Sequence, residues 1–307
     1  MKQVQKPAMP PQIFRRLHYA HSRTAGNFPP YRIACITAWV AILLTAMGLC
    51  SPSPRGPANT ARTTSAASTS NTPSTAVTGS ANSAKPAVSF ADLQTCSDND
   101  DNDGQIAACK RAIKAGGLEA HDVGMAYYNI GNAEFYQGQY NAAIADLTTS
   151  MTYLPNNDSA YVDRGAAEVD LDEPAAVLSD SLTALTIAPK NPQALTNLGW
   201  AYNKQGDYAK AIQAESTALG IASNEDTYIV RADAYFNEHE YANAVQDYTA
   251  ALKINPSSES DYESRGGAEY QENDDKDAQN DERTALQMNP NDANAKQILQ
   301  RLSGQQN

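Results

Sequence analysis

The chain has 307 residues and a net charge of −12, and that charge is very unevenly placed. All 35 Asp and Glu lie at or after Asp92, while the first 90 residues hold nine Lys and Arg. Residues 91–307 therefore set 14 basic side chains against 35 acidic ones, a net charge of −21. A body this acidic repels phosphate backbones, which argues against nucleic acid as a partner and favours basic ones.

Residues 1–32 form a basic, Pro-containing N-terminal tail. Residues 33–50, IACITAWVAILLTAMGLC, run 18 positions without a charge. That matches the short end of the roughly 17–25 residues a membrane-spanning helix needs. Basic residues before the span place the tail inside and the rest of the chain outside. Three fates stay open: an uncleaved signal anchor, a lipoprotein and a cleaved signal peptide. Cys50 followed by SPSP resembles the end of a bacterial lipoprotein signal and makes Cys50 a candidate lipid acceptor, although Leu49 stands where that pattern has a small residue. Arg15-Arg16 sits too far from the apolar run for a twin-arginine signal.

Residues 51–90 are dominated by Ser, Thr, Ala, Pro and Asn. Such a segment buries too little apolar surface to offset its ordering entropy, so a disordered linker is expected. Beyond it, one pattern returns five times. Gly131, Gly165, Gly199, Ala232 and Gly266 recur every 33 or 34 residues, and Pro155, Pro189, Pro256 and Pro290 keep the same beat with Ser223 in the vacant place. The first copy carries Tyr127, Ile130-Gly131, Ala143 and Leu147; the third carries Leu195, Leu198-Gly199, Tyr202, Ala211 and Ala218. The fourth supplies Tyr228, Tyr235, Ala244, Tyr248 and Ala251, the fifth Tyr262, Gly266, Ala278 and Ala285. The second is weakest, with Val177 and Ser181 at positions that elsewhere hold Ala and a bulky residue.

This pattern resembles the tetratricopeptide repeat family, in which each unit of about 34 residues is a pair of helices. The resemblance covers residues 124–292 as five repeats. It implies an all-α fold, a right-handed α-solenoid of helix-turn-helix units behind a membrane or signal segment and a disordered linker. Small residues let paired helices approach, Gly138 and Gly206 mark turns, and Pro ends each unit. No unit buries its apolar face alone, so the stack is the core.

By the same register, residues 91–123 become a divergent capping repeat and residues 293–307 a closing helix with Ala295, Ile298, Leu299 and Leu302 on one face. Cys109 then falls where Leu147 falls, and Cys96 faces it from the preceding helix. In an exported domain this pairing implies a disulfide. Cys35 lies apart, in the apolar segment.

The family lines its concave groove with inward positions of the first helices. Carried over by position, these are Tyr128, Asn132, Phe135 and Tyr136, then Asn197, Trp200 and Asn203, then Asp233 and Phe236, and finally Tyr270. Aromatic and amide side chains suit a peptide held by stacking and main-chain hydrogen bonds. A carboxylate clamp of the kind some relatives use is broken, because Tyr128 and Asn197 stand where cations are needed.

Catalytic constellations are missing from the sequence. The four His are scattered: His18 and His21 before the apolar segment, His121 in a linker and His239 at a turn. No nucleophile elbow, zinc motif or phosphate loop occurs. Asn99, Asp101, Asp103 and Gly104 resemble the opening of a calcium loop, but Lys110 stands where a bidentate Glu belongs, so a solvated loop is expected. The expected function is non-enzymatic: a membrane-tethered protein-interaction scaffold of the bacterial envelope. It needs no cofactor, metal or small-molecule substrate, and its partner is a protein or peptide. The alternative is a structural lipoprotein anchored through Cys50, and either form places the repeats in the periplasm.

Overall fold

The computed structural model describes residues 89–98 and 101–304. The basic tail, the apolar segment 33–50 with Cys35 and Cys50, residues 51–88 of the expected linker and Asn99 lie outside them, while Phe90, expected to end that linker, opens the first helix. The described residues form thirteen helices and no strands. No helix among them is long and apolar enough to cross a membrane.

Helices α1 (Phe90–Ser97) and α2 (Asn102–Ala115) form the first pair. Five further pairs follow: α3 (Ala120–Tyr136) with α4 (Tyr140–Tyr153), α5 (Asp158–Asp170) with α6 (Pro174–Ile187), and α7 (Pro192–Gln205) with α8 (Tyr208–Leu219). Next come α9 (Glu225–Asn237) with α10 (Tyr241–Ile254), α11 (Glu259–Glu272) with α12 (Asp275–Met288), and the closing α13 (Ala293–Gly304). Every helix packs on its sequence neighbours, and five of the consecutive first-helix pairs also touch (α1–α3, α3–α5, α5–α7, α7–α9, α11–α13). Consecutive second helices make no comparable contact among the described residues, so the stack curves toward its first helices.

Local chemistry places the helix ends. α4, α6, α10 and α12 each stop two residues before a proline. The residue between, Leu154, Ala188, Asn255 or Asn289, has left the helical region, with ψ of 66°, 84°, 86° and 90°. The Pro ring forbids αR to the residue before it, so the helix must end there. α8 has Ser223 at the Pro position, and its cap Gly220 stays near helical with ψ −16°. Inside each repeat the turn needs one residue at positive φ. Gly138 (φ 73°) and Gly206 (φ 81°) supply it in repeats one and three, and Asp172, His239 and Asn273 in the other three. Asp, Asn and His are the side-chain-bearing residues that tolerate this region best.

Two corrections follow at the N-terminal end. His121 lies in α3 rather than in a linker, exposed and paired with Asp122 at 3.3 Å. The acidic stretch is not an open calcium-type loop, because Asp103, Gly104 and Lys110 are already helical in α2 behind the cap Asp101. Between α1 and α2, the sulfurs of Cys96 and Cys109 lie 2.07 Å apart with Cα atoms separated by 4.7 Å. At the other end Ala295, Ile298 and Leu302 are buried and Leu299 half-buried.

One device recurs through the core. Arg164, Arg231 and Arg265 sit just before the small residue of their first helices, and each forks onto an Asp sixteen positions later on the second helix. The acceptors Asp180, Asp247 and Asp281 are buried. The remaining guanidinium nitrogen reaches back to a hydroxyl of the preceding repeat: Thr148 at 2.8 Å, Ser216 at 3.1 Å and Thr249 at 3.1 Å. Bidentate geometry suits Arg, and each fork thus joins two repeats. In the third repeat the same register holds the apolar pair Leu198 and Ala214.

Candidate protein-binding groove

The first-helix face is the concave one, so the expected groove residues can be placed on it one by one. Tyr128 is buried beside Leu147, Met151 and Ala160, and its hydroxyl donates to Asp163 Oδ2 at 2.8 Å. The half-buried Asn132 donates to the same oxygen at 3.0 Å. Phe135 packs into a core cluster with Ala143, Ala166 and Ala167, while Tyr136 beside it is 39% exposed.

Trp200 is 6% exposed and packs against Val169, Val177, Ala201 and Val230, which spans three repeats. Asn197 and Asn203 are also buried, and they donate to the carbonyls of Val162 and Val230 at 3.1 Å each. Tyr270 is buried against Ala278, Ile298 and Leu302 and so seals the closing helix. Asp233 and Phe236 are half-buried. Six of the ten expected groove residues are therefore packed between helices rather than presented on the surface. The physical reason is the Ala-rich neighbourhood: small side chains leave space that an aromatic ring fills from the adjacent helix.

What this face does present is polar and acidic, with aromatic ends. Lys204 lies over the Trp200 ring at 5.3 Å and bridges to Asp172 at 2.7 Å. Asp233 accepts from the Tyr248 hydroxyl. Burial pushes its carboxyl up to about 6, against the opposing pull of that hydrogen bond and of Lys204. Asp163, Asp233 and Asn132 carry acceptors and a donor along the face, and Tyr136 and Phe236, at the C-terminal ends of α3 and α9, add apolar surface.

Comparison with known proteins fits this geometry. Residues 126–157 and 225–258 match one family model for the tetratricopeptide repeat, and residues 182–213 match another. These segments are tetratricopeptide repeats. Among solved structures, a tetratricopeptide repeat protein from Parabacteroides merdae is similar at 18% identity with a TM-score of 0.56, over 70% of this chain and 84% of that one. Cut9-Hcn1, an APC/C hetero-tetramer, is similar at 16% identity with a TM-score of 0.59, over 66% of this chain. This chain spans 39% of the length of its matching chain. PilF of Pseudomonas aeruginosa is similar at 18% identity with a TM-score of 0.53, over 61% and 86% of the two chains. At these identities the likeness is one of fold. No curated protein matches the chain.

The helical array also carries a surface that the sequence reading missed. Tyr153, Ile221, Ile254 and Met288 are exposed large apolar side chains, each at the last residue of a second helix or two residues beyond one. They share one register, with Ile187 half-buried at the intervening place. An apolar residue recurring two positions before each Pro was the available signal.

Proposed function

We propose that this chain is a non-enzymatic scaffold that holds a protein or peptide segment along the first-helix face of its tetratricopeptide array. The observation that carries the reading is the composition of that face: acceptors on Asp163 and Asp233, the amide of Asn132, and accessible rings on Tyr136 and Phe236. Carboxylates with flanking aromatics recognise a basic or hydrogen-bonding segment and give it apolar anchors. A solenoid of similar fold that occurs in a hetero-tetramer, Cut9-Hcn1, is consistent with such a role.

In this reading segment 33–50 tethers the array to the inner membrane of a bacterium, with the repeats in the periplasm and residues 51–90 as a flexible spacer. Oxidation of Cys96 and Cys109 to a disulfide belongs to the same compartment. A lipid on Cys50 is the alternative tether. Metabolic labelling with a lipid precursor separates the two, since label lost in Cys50→Ser supports the lipoprotein.

The binding test is capture of envelope proteins on the immobilised full chain in detergent, read by mass spectrometry. It is run beside a Tyr136→Ala, Phe236→Ala variant and an Ile221→Ala, Ile254→Ala variant. A partner lost only in the first variant supports the groove. A partner lost only in the second moves the site to the apolar edge stripe, whose regular exposure makes it the second reading. Equal capture by all three proteins, or none by any, refutes both.

A further inference from the structure

The junction between repeats three and four replaces three apolar positions with polar ones at once. Glu215 of α8 stands where repeats one and four place Leu147 and Tyr248. Thr196 of α7 stands where repeats one, two and four place Tyr128, Val162 and Ile229. Thr227 of α9 stands where repeats one to three place Ala126, Ala160 and Ala194. The three side chains are 0%, 2% and 0% exposed. Gly199 makes room for them, since a Cβ there would overlap Glu215 Oε1.

These side chains form one string of contacts. Glu215 Oε2 lies 3.2 Å from Thr196 Oγ1, which lies 3.0 Å from Thr227 Oγ1, which lies 2.8 Å from Asn224 Oδ1. Asn224 caps α9, and the same oxygen accepts from the backbone N–H of Thr227 at 2.8 Å, which fixes it as the acceptor end of the amide. The string therefore ends on an atom that has no proton to give. Thr227 must donate to Asn224, and Thr196 must donate to Thr227. Three oxygen–oxygen contacts need three protons, and the two hydroxyls hold two. The third belongs to Glu215, which donates to Thr196 as a neutral carboxylic acid.

The surroundings disfavour the ionised form as well. Glu215 Oε1 has no hydrogen-bond partner. From α7 it is faced by Thr196 and Gly199, neither of them charged. From α9 come Asp226, which repels a carboxylate, and Arg231, which attracts one but is forked onto Asp247 of α10. Burial outweighs the pull of Arg231 and holds the Glu215 carboxyl well above its ordinary value. A carboxylate buried without a partner costs far more than a neutral acid in the same place.

We propose that Glu215 is a pH-sensitive latch: its proton closes a hydrogen-bond string from α8 through α7 to α9, and the junction of repeats three and four opens as that proton is released. The latch shares no residue with the binding face, so either reading can fail without the other. At neutral pH the closed junction holds a proton on Glu215 that the opened or unfolded chain gives up. Stability from this group therefore falls as pH rises above the ordinary value of 4.5, and levels off once the buried carboxyl itself ionises.

The test compares wild type with Glu215→Gln, whose amide keeps a donor toward Thr196 and cannot ionise, using the full chain in detergent. In urea unfolding at pH 6, 7 and 8, the folding constant of wild type relative to Glu215→Gln should fall about tenfold per pH unit, the loss expected for one proton. The infrared spectrum of wild type minus that of Glu215→Gln at pH 7 should contain the carbonyl band of a protonated carboxyl. Amide hydrogen exchange, corrected for its intrinsic pH dependence, should lose protection across residues 213–229 between pH 6 and pH 8 in wild type and keep it in Glu215→Gln. Glu215→Met, apolar and similar in volume, is a second variant that cannot ionise and should match Glu215→Gln in both pH series. A ratio of folding constants that is the same at all three pH values, or a difference spectrum without the protonated band, overturns the proposal. So does a pH-dependent ratio with equal protection of residues 213–229 in both proteins, because the proton would then not govern the junction.

Discussion

The fork between Arg231 and Asp247 offers the sharpest test of how the repeats are joined. Arg231 gives Nε and Nη2 to the two oxygens of Asp247 at 2.7 and 2.8 Å, and Nη1 to Ser216 Oγ of the previous repeat at 3.1 Å. Asp247 is 5% exposed, so Arg231→Ala strands a carboxylate that water hardly reaches. Breaking a fully buried pair costs about 3–5 kcal/mol. The Arg side chain is 20% exposed, so some water replaces it, and about 2–3 kcal/mol is expected. Arg231→Lys should cost about 1–2 kcal/mol, because an ammonium cannot fork. The double change Arg231→Leu, Asp247→Ala copies the Leu198 and Ala214 pair of the third repeat. It should lie within about 1 kcal/mol of wild type, because no buried charge is left unpaired. Thermal melts followed by circular dichroism at 222 nm would read the single change as a drop of roughly 5–10 °C. If the double variant melts as low as Arg231→Ala, the loss comes from packing and the electrostatic account fails.

Four further outcomes are expected. Burial raises the Glu168 carboxyl to about 7, so between its ordinary value near 4.5 and about 7 the folded chain holds a proton that the unfolded chain has lost. Stability from this group therefore falls as pH rises through that window and levels above it; melts at pH 5 and pH 7.5 should show the slope, and Glu168→Gln should reduce it. Alkylation of the unreduced, denatured chain should label neither Cys96 nor Cys109, and Cys96→Ser should cost about 3 kcal/mol at the N-terminal pair, read by faster proteolysis there. Gly206→Ala forces a side chain into φ 81° and should cost about 1 kcal/mol in thermal melts, more than any gain in helix propensity returns. Trp200→Ala should cost about 3–5 kcal/mol, while Tyr136→Ala should change the melting temperature little, which is why only the second is a clean probe of binding.

The difference between those two aromatics shows where sequence reasoning holds. The spacing of Gly131, Gly165, Gly199, Ala232 and Gly266, with Pro at a fixed offset, constrains backbone events, and backbone events are local. Helix pairs and their ends were therefore readable. Whether an inward aromatic stays on the surface depends on what the neighbouring repeat leaves open. Trp200 is buried because Val169, Val177 and Val230 close around it from two other repeats, and no position-by-position transfer carries that information. The Arg forks were readable in principle, since Arg164, Arg231 and Arg265 share one register and an Asp follows each by sixteen.

The buried Glu residues carry the same lesson further. A charged residue in the register of Leu147 contradicts a rule the rest of the array obeys, and such departures tend to mark special places. Two Glu break the rule, yet only their surroundings distinguish them. Glu215 meets Thr196 and a hydroxyl chain through Thr227, which satisfies its Oε2 from within the protein. Glu282 meets Glu263 and Asp292, which are 29 positions apart in the chain and join only when the closing helix docks. The sequence alone therefore shows an anomaly in both repeats, and the fold shows that among the described residues Glu215 has one carboxylate oxygen hydrogen-bonded whereas Glu282 has neither.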